Sequence, residues 1–318
     1  MGTIRQIEVG SATDIGNVRR NNEDRILAEI VAYGSTAVST ALLLVADGLG
    51  GHEGGEMAST LARDTLREII AEPIATGAAS RAAISKLLAG ALKLANERIF
   101  AAGSESPGSG RPGTTMTACV LSPDRFDIAH VGDSRAYLIT PQDAMQLTDD
   151  DSIVADAVRQ GLITEEQARD SPYRNQLTRS IGTAEHVDPS IYHSPIMRGD
   201  VILLCSDGLS EYISPEEMHQ GVLKHRTLQI LCDELVQLAK QRGGIDNISV
   251  VAARAGTWEK RQSEVGRARV RSDNQTRRTT LPLFRRFEAL LSARAVPLTS
   301  RGPALYNVSR RAHRYAGV

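Results

Sequence analysis

Cysteine is scarce in this chain and follows no pairing pattern: Cys119, Cys205 and Cys232 are odd in number and share no recurring spacing. A disulfide framework is therefore not indicated. Free thiols in apolar runs behave as small hydrophobes, which suits a reducing cytosol. Aromatic residues amount to 4% against a hydrophobic content of 41%, so a core has to be built from Leu, Ile, Val and Ala. No apolar run approaches the roughly 20 residues that span a bilayer, and no stretch has the pattern of a signal peptide. A solenoid repeat period is also absent. A cytoplasmic location is the expectation that follows.

The net charge of −1 conceals an asymmetry. Residues 1–256 hold 23 Lys and Arg against 34 Asp and Glu, whereas residues 257–318 hold 14 against 4. Such a switch predicts a domain over 1–256 and a basic tail over 257–318. Residues 261–278 have the charged, apolar-poor composition of disorder. Residues 281–291 could form a short basic amphipathic helix, with Leu283, Phe284, Phe287, Leu290 and Leu291 on one side. The simpler reading is a solvated tail with one sticky segment, and the sequence names no partner for it.

The stretch that organises the rest is Leu42-Leu-Leu-Val-Ala-Asp-Gly-Leu-Gly-Gly-His52. Five apolar residues read as a buried strand that breaks at Asp47-Gly48, leaving a carboxylate at a sheet rim beside glycines that allow close approach. One Asp-Gly pair is commonly only a turn. The device recurs at Asp207-Gly208, however, after another apolar run. Asp246 directly precedes a third run, and Glu23-Asp24 add further carboxylates. An all-oxygen set of this kind favours Mg²⁺ or Mn²⁺ over zinc. Arg19 and Arg20 lie four residues before Glu23 and Asp24, where they either grip a phosphate or neutralise the acidic pair. Asp133 also ends a strand and, by itself, reads as a turn residue.

Residues 4–12 read as an edge strand. Helices are predicted from 56 to about 71 and over the i, i+3, i+4, i+7 run Ile84, Leu87, Leu88, Ala91, Leu92, Ala95 and Ile99. Residues 115–121, 126–131 and 136–139 read as successive antiparallel strands joined by short turns. Residues 148–185 make a polar surface excursion, with short helices capped near Asp151-Ser152 and at Thr164. Beside a site, such an excursion acts as a lid or substrate loop. A strand over 201–206, helices from Pro215 and over about 227–241, and a strand over 247–254 complete the pattern.

Seven motifs in order carry a resemblance: Thr13-Asp-Ile-Gly-Asn-Val-Arg-Arg-Asn-Asn-Glu-Asp24, Ala46-Asp-Gly-Leu-Gly-Gly-His-Glu-Gly-Gly-Glu56, Gly113-Thr-Thr-Met-Thr117, Val131-Gly-Asp-Ser-Arg-Ala-Tyr137, Leu177-Thr-Arg-Ser-Ile-Gly182, Cys205-Ser-Asp-Gly-Leu209 and Gly244-Ile-Asp-Asn-Ile-Ser-Val250. Together, across about 4–255, they resemble the bacterial form of the metal-dependent protein serine/threonine phosphatases of the type 2C class. The resemblance implies an α+β fold: a four-layer α-β-β-α sandwich of two antiparallel sheets with helices on both outer faces. It also implies two Mn²⁺ or Mg²⁺ ions bridged by Asp47. The Gly48 carbonyl would be a further ligand, with Glu23 serving one ion and Asp207 and Asp246 the other. Asp133 would help hold a weaker third ion, Asp24 a metal-bound water, and Arg19 the substrate phosphate. Asn247 would lie beside the site, and His52 would be a proton donor.

Two ions roughly 4 Å apart would activate water for in-line attack on phosphorus, and no Cys-x5-Arg loop offers a thiolate alternative. Residues 148–185 match the family's flap, with Asp151 standing where Leu-Thr-x-Asp-His-Ser commonly has histidine. The flap argues against the partner-switching phosphatases of the same superfamily. The full carboxylate set argues against a catalytically silent binding domain, and the acidic character of 1–256 against a two-metal nuclease. The expected partners are phosphorylated proteins made by a bacterial serine/threonine kinase, with no nucleic acid, and the expected state is a monomer. Because no motif lies in the tail, a chain ending at Gly256 should hydrolyse a small phosphoester within about twofold of the full-length rate. Loss of that activity on truncation would contradict the boundary.

Overall fold

A computed structural model of the chain describes residues 7–34, 39–50, 53–104 and 111–256. The chain divides into two units, Met1–Trp258 and Glu259–Val318. The second unit, with the helix expected over 281–291, lies outside the described residues.

The first unit runs β1 (Ile7–Asp14), β2 (Arg25–Ala32), β3 (Ser39–Ala46), β4 (Gly48–Leu49), α1 (Glu53–Ala75), α2 (Ile84–Ser104), β5 (Gly113–Thr114), β6 (Met116–Ser122), β7 (Arg125–Val131), β8 (Arg135–Ile139), β9 (Ala144–Gln146), α3 (Ile153–Arg159), α4 (Glu165–Arg169), β10 (Ser190–Pro195), β11 (Val201–Cys205), α5 (Asp207–Ser210), α6 (Pro215–Lys224), α7 (Leu228–Gln241) and β12 (Ile248–Ala255). Two five-stranded antiparallel sheets have the orders β1-β12-β11-β8-β9 and β10-β7-β6-β3-β2. The edge strand expected near the N-terminus is β1.

Side-chain alternation along the strands builds the layers. Leu42 and Leu44 of β3, with Ala118 and Val120 of β6, pack against Leu66, Ile70, Leu88 and Leu92 of α1 and α2. Leu43 and Val45 point the other way and meet Ile202, Leu204 and Val251 between the sheets. Leu203, Val250 and Ala252 cover the far side, under Met218, Leu231 and Leu235 of α6 and α7. This is the four-layer α-β-β-α sandwich. Its central strands are covered on both faces, so β11 is apolar throughout and β3 is apolar from Ala41 to Ala46. The three cysteines are buried and free. Among the described residues, no helix is long and apolar enough to cross a membrane.

Capping explains several helix starts. Ser214 and Glu217 form a capping box at α6, with Pro215 at the first helical position. Thr164 and Gln167 do the same at α4, and Ser152 caps α3. Helix α1 outruns the expected 56–71 at both ends and includes Pro73. Its buried face continues through Leu66, Ile70 and Ile74, so packing outweighs the lost backbone donor.

One expectation is corrected. The third of the three consecutive strands, β8, does not pair with β7; it joins the opposite sheet beside β11. The crossing is made at Gly132-Asp133-Ser134. Gly132 has φ 114°, and a Cβ there would lie 2.7 Å from the Thr115 side chain. Only glycine fits that turn, and the crossing carries Asp133 to the rim between the sheets. Strands β2 and β10 escape the sequence pattern because their exposure is mixed along their length.

Leu43→Ala should destabilise the unit by about 2–5 kcal/mol in urea unfolding. Leu162→Ala, at a position 71% exposed, should change stability by less than about 0.5 kcal/mol. Equal losses would contradict the assigned layers.

Candidate active site

Strand ends from both sheets deliver carboxylates to one rim. Asp47 follows β3, Asp207 opens α5 directly after β11, Asp246 precedes β12, Asp133 lies in the crossing to β8, and Glu23-Asp24 precede β2. Asp24 is sealed, at 2% exposure. Neither of its carboxylate oxygens makes a hydrogen bond of standard geometry, although the Ser206 and Ser249 hydroxyls adjoin it. Burial pushes its carboxyl up to about 7; Asp207 and Asp246 add repulsion, against the pull of the two serines. Burial, then Asp246, raises Asp207 to about 6, and one Asp207 oxygen is buried without a partner. Asp47 and Asp133 keep part of their surface open to the cleft. Close packing still raises both well above the ordinary carboxylate value, followed by repulsion from Asp24 and Asp207 on Asp47 and from Asp207 on Asp133.

The backbone around these groups is held from several directions. Asp47 N–H donates to Thr115 Oγ1 at 2.9 Å, and its carbonyl accepts from Thr114 Oγ1 and Thr115 N–H, each at 2.8 Å. Thr115 Oγ1 lies 2.7 Å from Ser134 Oγ, which ties in the crossing. Ser59 Oγ donates to the Glu23 carbonyl at 2.6 Å. Asn247 accepts from Glu23 N–H at 2.8 Å and donates to the carbonyls of Ile15 and Asn21 at 2.9 and 3.0 Å. The loop bearing Arg19 is thus stitched to the start of β12. The threonine and serine contributions carry no role readable from the sequence; Thr114, Thr115 and Ser134 are marked there only by lying within Gly113-Thr-Thr-Met-Thr117 and Val131-Gly-Asp-Ser-Arg-Ala-Tyr137.

Arg19 neither neutralises Glu23-Asp24 directly nor stands free. Its Nη2 donates to Asp246 Oδ2 at 2.5 Å, with the fields of Asp47 and Glu23 also favouring its charge. Its side chain remains 53% exposed. The rim therefore gathers Arg19, Glu23, Asp24, Asp47, Gly48, Asp133, Asp207, Asp246 and Asn247. His52 lies outside the described residues.

The rim fits hard cations in three respects. Its donors are oxygens. Buried oxygens of Asp24 and Asp207 lack partners. Glycines let backbone and carboxylates meet: a Cβ on Gly48 would lie 2.4 Å from the Gly55 carbonyl oxygen, one on Gly55 2.1 Å from Glu23 Oε2, and one on Gly208 2.0 Å from the Asn247 carbonyl oxygen. Among the described residues, no three acidic, imidazole or thiol groups already stand at closed ligand spacing. Like charges repel at such distances, and Asp246 is paired with Arg19.

Residues 20–241 match the family described as Protein phosphatase 2C. The chain belongs to the protein phosphatase 2C family. The serine/threonine phosphatase stp of Listeria innocua is 32% identical over 248 residues, 78% of this chain and 96% of the relative. A crystal structure of the Mycobacterium tuberculosis serine/threonine phosphatase PstP/Ppp shares 33% identity at TM-score 0.69, covering 79% of this chain and 99% of that one. The catalytic domain of PstP in complex with 2 manganese ions shares 32% identity at TM-score 0.67, covering 78% of this chain and 97% of that one. As a protein phosphatase 2C enzyme, the chain is a metal-dependent hydrolase of phosphoproteins.

The raised carboxyls link the phosphatase's stability to pH. Asp24 and Asp207 ordinarily titrate near 3.8 but do so near 7 and 6 in the fold, so the folded state retains protons that the unfolded chain has released. Their cost is absent below the ordinary value and complete above the raised ones. Without divalent metal, the melting temperature should fall as pH rises from about 5 to about 8. Mn²⁺ should reverse much of that fall, and Asp24→Asn should flatten it. A melting temperature unchanged across this window would contradict the buried-acid rim.

Proposed function

We propose that this phosphatase removes phosphate from phosphoserine and phosphothreonine in proteins, using two Mn²⁺ or Mg²⁺ ions held by Glu23, Asp47, the Gly48 carbonyl, Asp207 and Asp246. A weaker third ion is assigned to Asp133. The observation that carries this reading is the partnerless buried oxygen of Asp207 beside Asp47 and the sealed Asp24, framed by glycines that admit no side chain. When bound, the ions lower the pKa of a water and offset charge on the phosphoryl group.

The chain's own groups do the rest. Arg19, exposed and planar, transfers its fork from Asp246 to the equatorial phosphoryl oxygens, where charge redistributes during in-line displacement. Asp24, with a carboxyl near 7 between two serine hydroxyls, holds a proton or orients water by hydrogen bonding at neutral pH. Asn247 keeps the Arg19 loop in register with the carboxylates. His52 is assigned as proton donor to the leaving alkoxide.

Thiolate chemistry is ruled out by burial: Cys205 and Cys232 are pushed up to about 12, and Cys119 well above its ordinary value. The substrates are assigned to a bacterial serine/threonine kinase, with the enzyme acting as a cytoplasmic monomer on protein and not on nucleic acid.

The expected result is Mn²⁺-dependent hydrolysis of a phosphothreonine peptide, abolished by chelation. Asp207→Asn should lower turnover at least about a hundredfold. Metal-replete protein that releases no phosphate would refute the proposal.

A further inference from the structure

The three consecutive acids Asp149, Asp150 and Asp151 have the look of a solvated charge run, yet Asp151 is buried, at 6% exposure. Its Oδ2 accepts from Gly132 N–H at 3.0 Å, and its Oδ1 accepts from Arg179 Nη2 at 2.6 Å. Its own N–H donates to the Gly132 carbonyl at 2.8 Å, and its carbonyl accepts from Thr178 N–H at 2.8 Å. Arg179 also donates to the Asp188 carbonyl at 2.7 Å and to Ser190 Oγ at 2.8 Å, at the start of β10.

One residue thereby joins three segments: the crossing that carries Asp133, the first residues of the 148–185 excursion, and its last residues. Its neighbours do less. Asp150 takes the fork of Arg135 on β8, and the Asp149 carbonyl lies 3.1 Å from His130 Nε2 on β7. Arg159 Nη1 also donates to the Asp150 carbonyl and Asp149 N–H to the Tyr192 hydroxyl, but neither neighbour bonds the last residues of the excursion.

The body of the excursion lies beside the site and presents apolar surface. Leu162 is 71% exposed and Tyr173 55%. Arg174 stands 3.8 Å from Glu211, which ends the turn opened by Asp207. A bare phosphoester reaches only the carboxylate rim, whereas a phosphorylated peptide must also lie against what flanks it.

Building on the phosphatase reading, the geometry points to Asp151 and Arg179 as a positioning pair that clamps both ends of the flap to the Gly132 crossing and so sets affinity for phosphorylated protein segments. Asp151→Asn keeps the shape and removes the charge. Arg179→Lys keeps the charge and loses the fork. Both are assayed in the full-length, Mn²⁺-loaded enzyme on a phosphothreonine peptide and on p-nitrophenyl phosphate. Each variant should raise KM for the peptide roughly tenfold while kcat on the small ester stays within about twofold, and the double variant should add little to either single one.

A merely structural role would instead lower both activities alike. Unchanged peptide KM in both variants, or equal losses on the two substrates, overturns the inference. Should Asp151→Asn fail to fold, Arg179→Lys carries the test, since that side chain is 37% exposed. A wild-type enzyme inert on both substrates would count against the phosphatase reading itself.

Discussion

Removing Asp24, Asp47, Asp133 and Asp207 from bulk water within reach of one another costs free energy twice, first through burial and then through mutual repulsion. The sandwich holds them together regardless. Each sits where a strand has just ended or is about to begin, so its backbone is fixed by a sheet while its side chain projects at the rim. Thr114 and Thr115 occupy both backbone polar groups of Asp47, and Asn247 locks Glu23 from the other side. Such a cluster cannot relax by spreading apart. A divalent cation turns the same field from a liability into an attraction for phosphate.

What the sequence disclosed follows from burial. The runs at β3 and β11 are apolar throughout because sheets and helices cover both of their faces, and an aspartate ending each run stands out against them. The sheet change of β8 was hidden for the opposite reason. Strand, short polar turn and strand read alike whether the chain returns to the same sheet or crosses to the other. Gly132 decides it, through a close approach to Thr115 that spans seventeen positions and leaves no periodic trace. The Arg19–Asp246 pair is equally silent in sequence, since its partners are 227 positions apart. Thr114 and Thr115 act through the backbone of Asp47, so their residue type says little about what they hold.

The acidic run at 149–151 shows where charge counting misleads. The expected short helix capped near Asp151-Ser152 is present, with Ser152 as the cap of α3. In the fold the three diverge, and only the Asp149 carboxylate stays exposed. The Asp149 carbonyl meets His130, Asp150 receives the fork of Arg135, and Asp151 clamps Arg179. Buried ion pairs contribute little net stability against apolar packing, but they fix geometry because few alternative arrangements satisfy both charges. That property suits the base of a loop that must hold still beside a cleft.

The central claim is that these carboxylates converge on a shared pair of cations. Anomalous diffraction from crystals grown with Mn²⁺ tests it most directly. The account predicts two strong peaks about 4 Å apart, with Asp47 touching both and Asp207 and Asp246 touching one of them. A single ion, or ions seated away from Asp47, would contradict it.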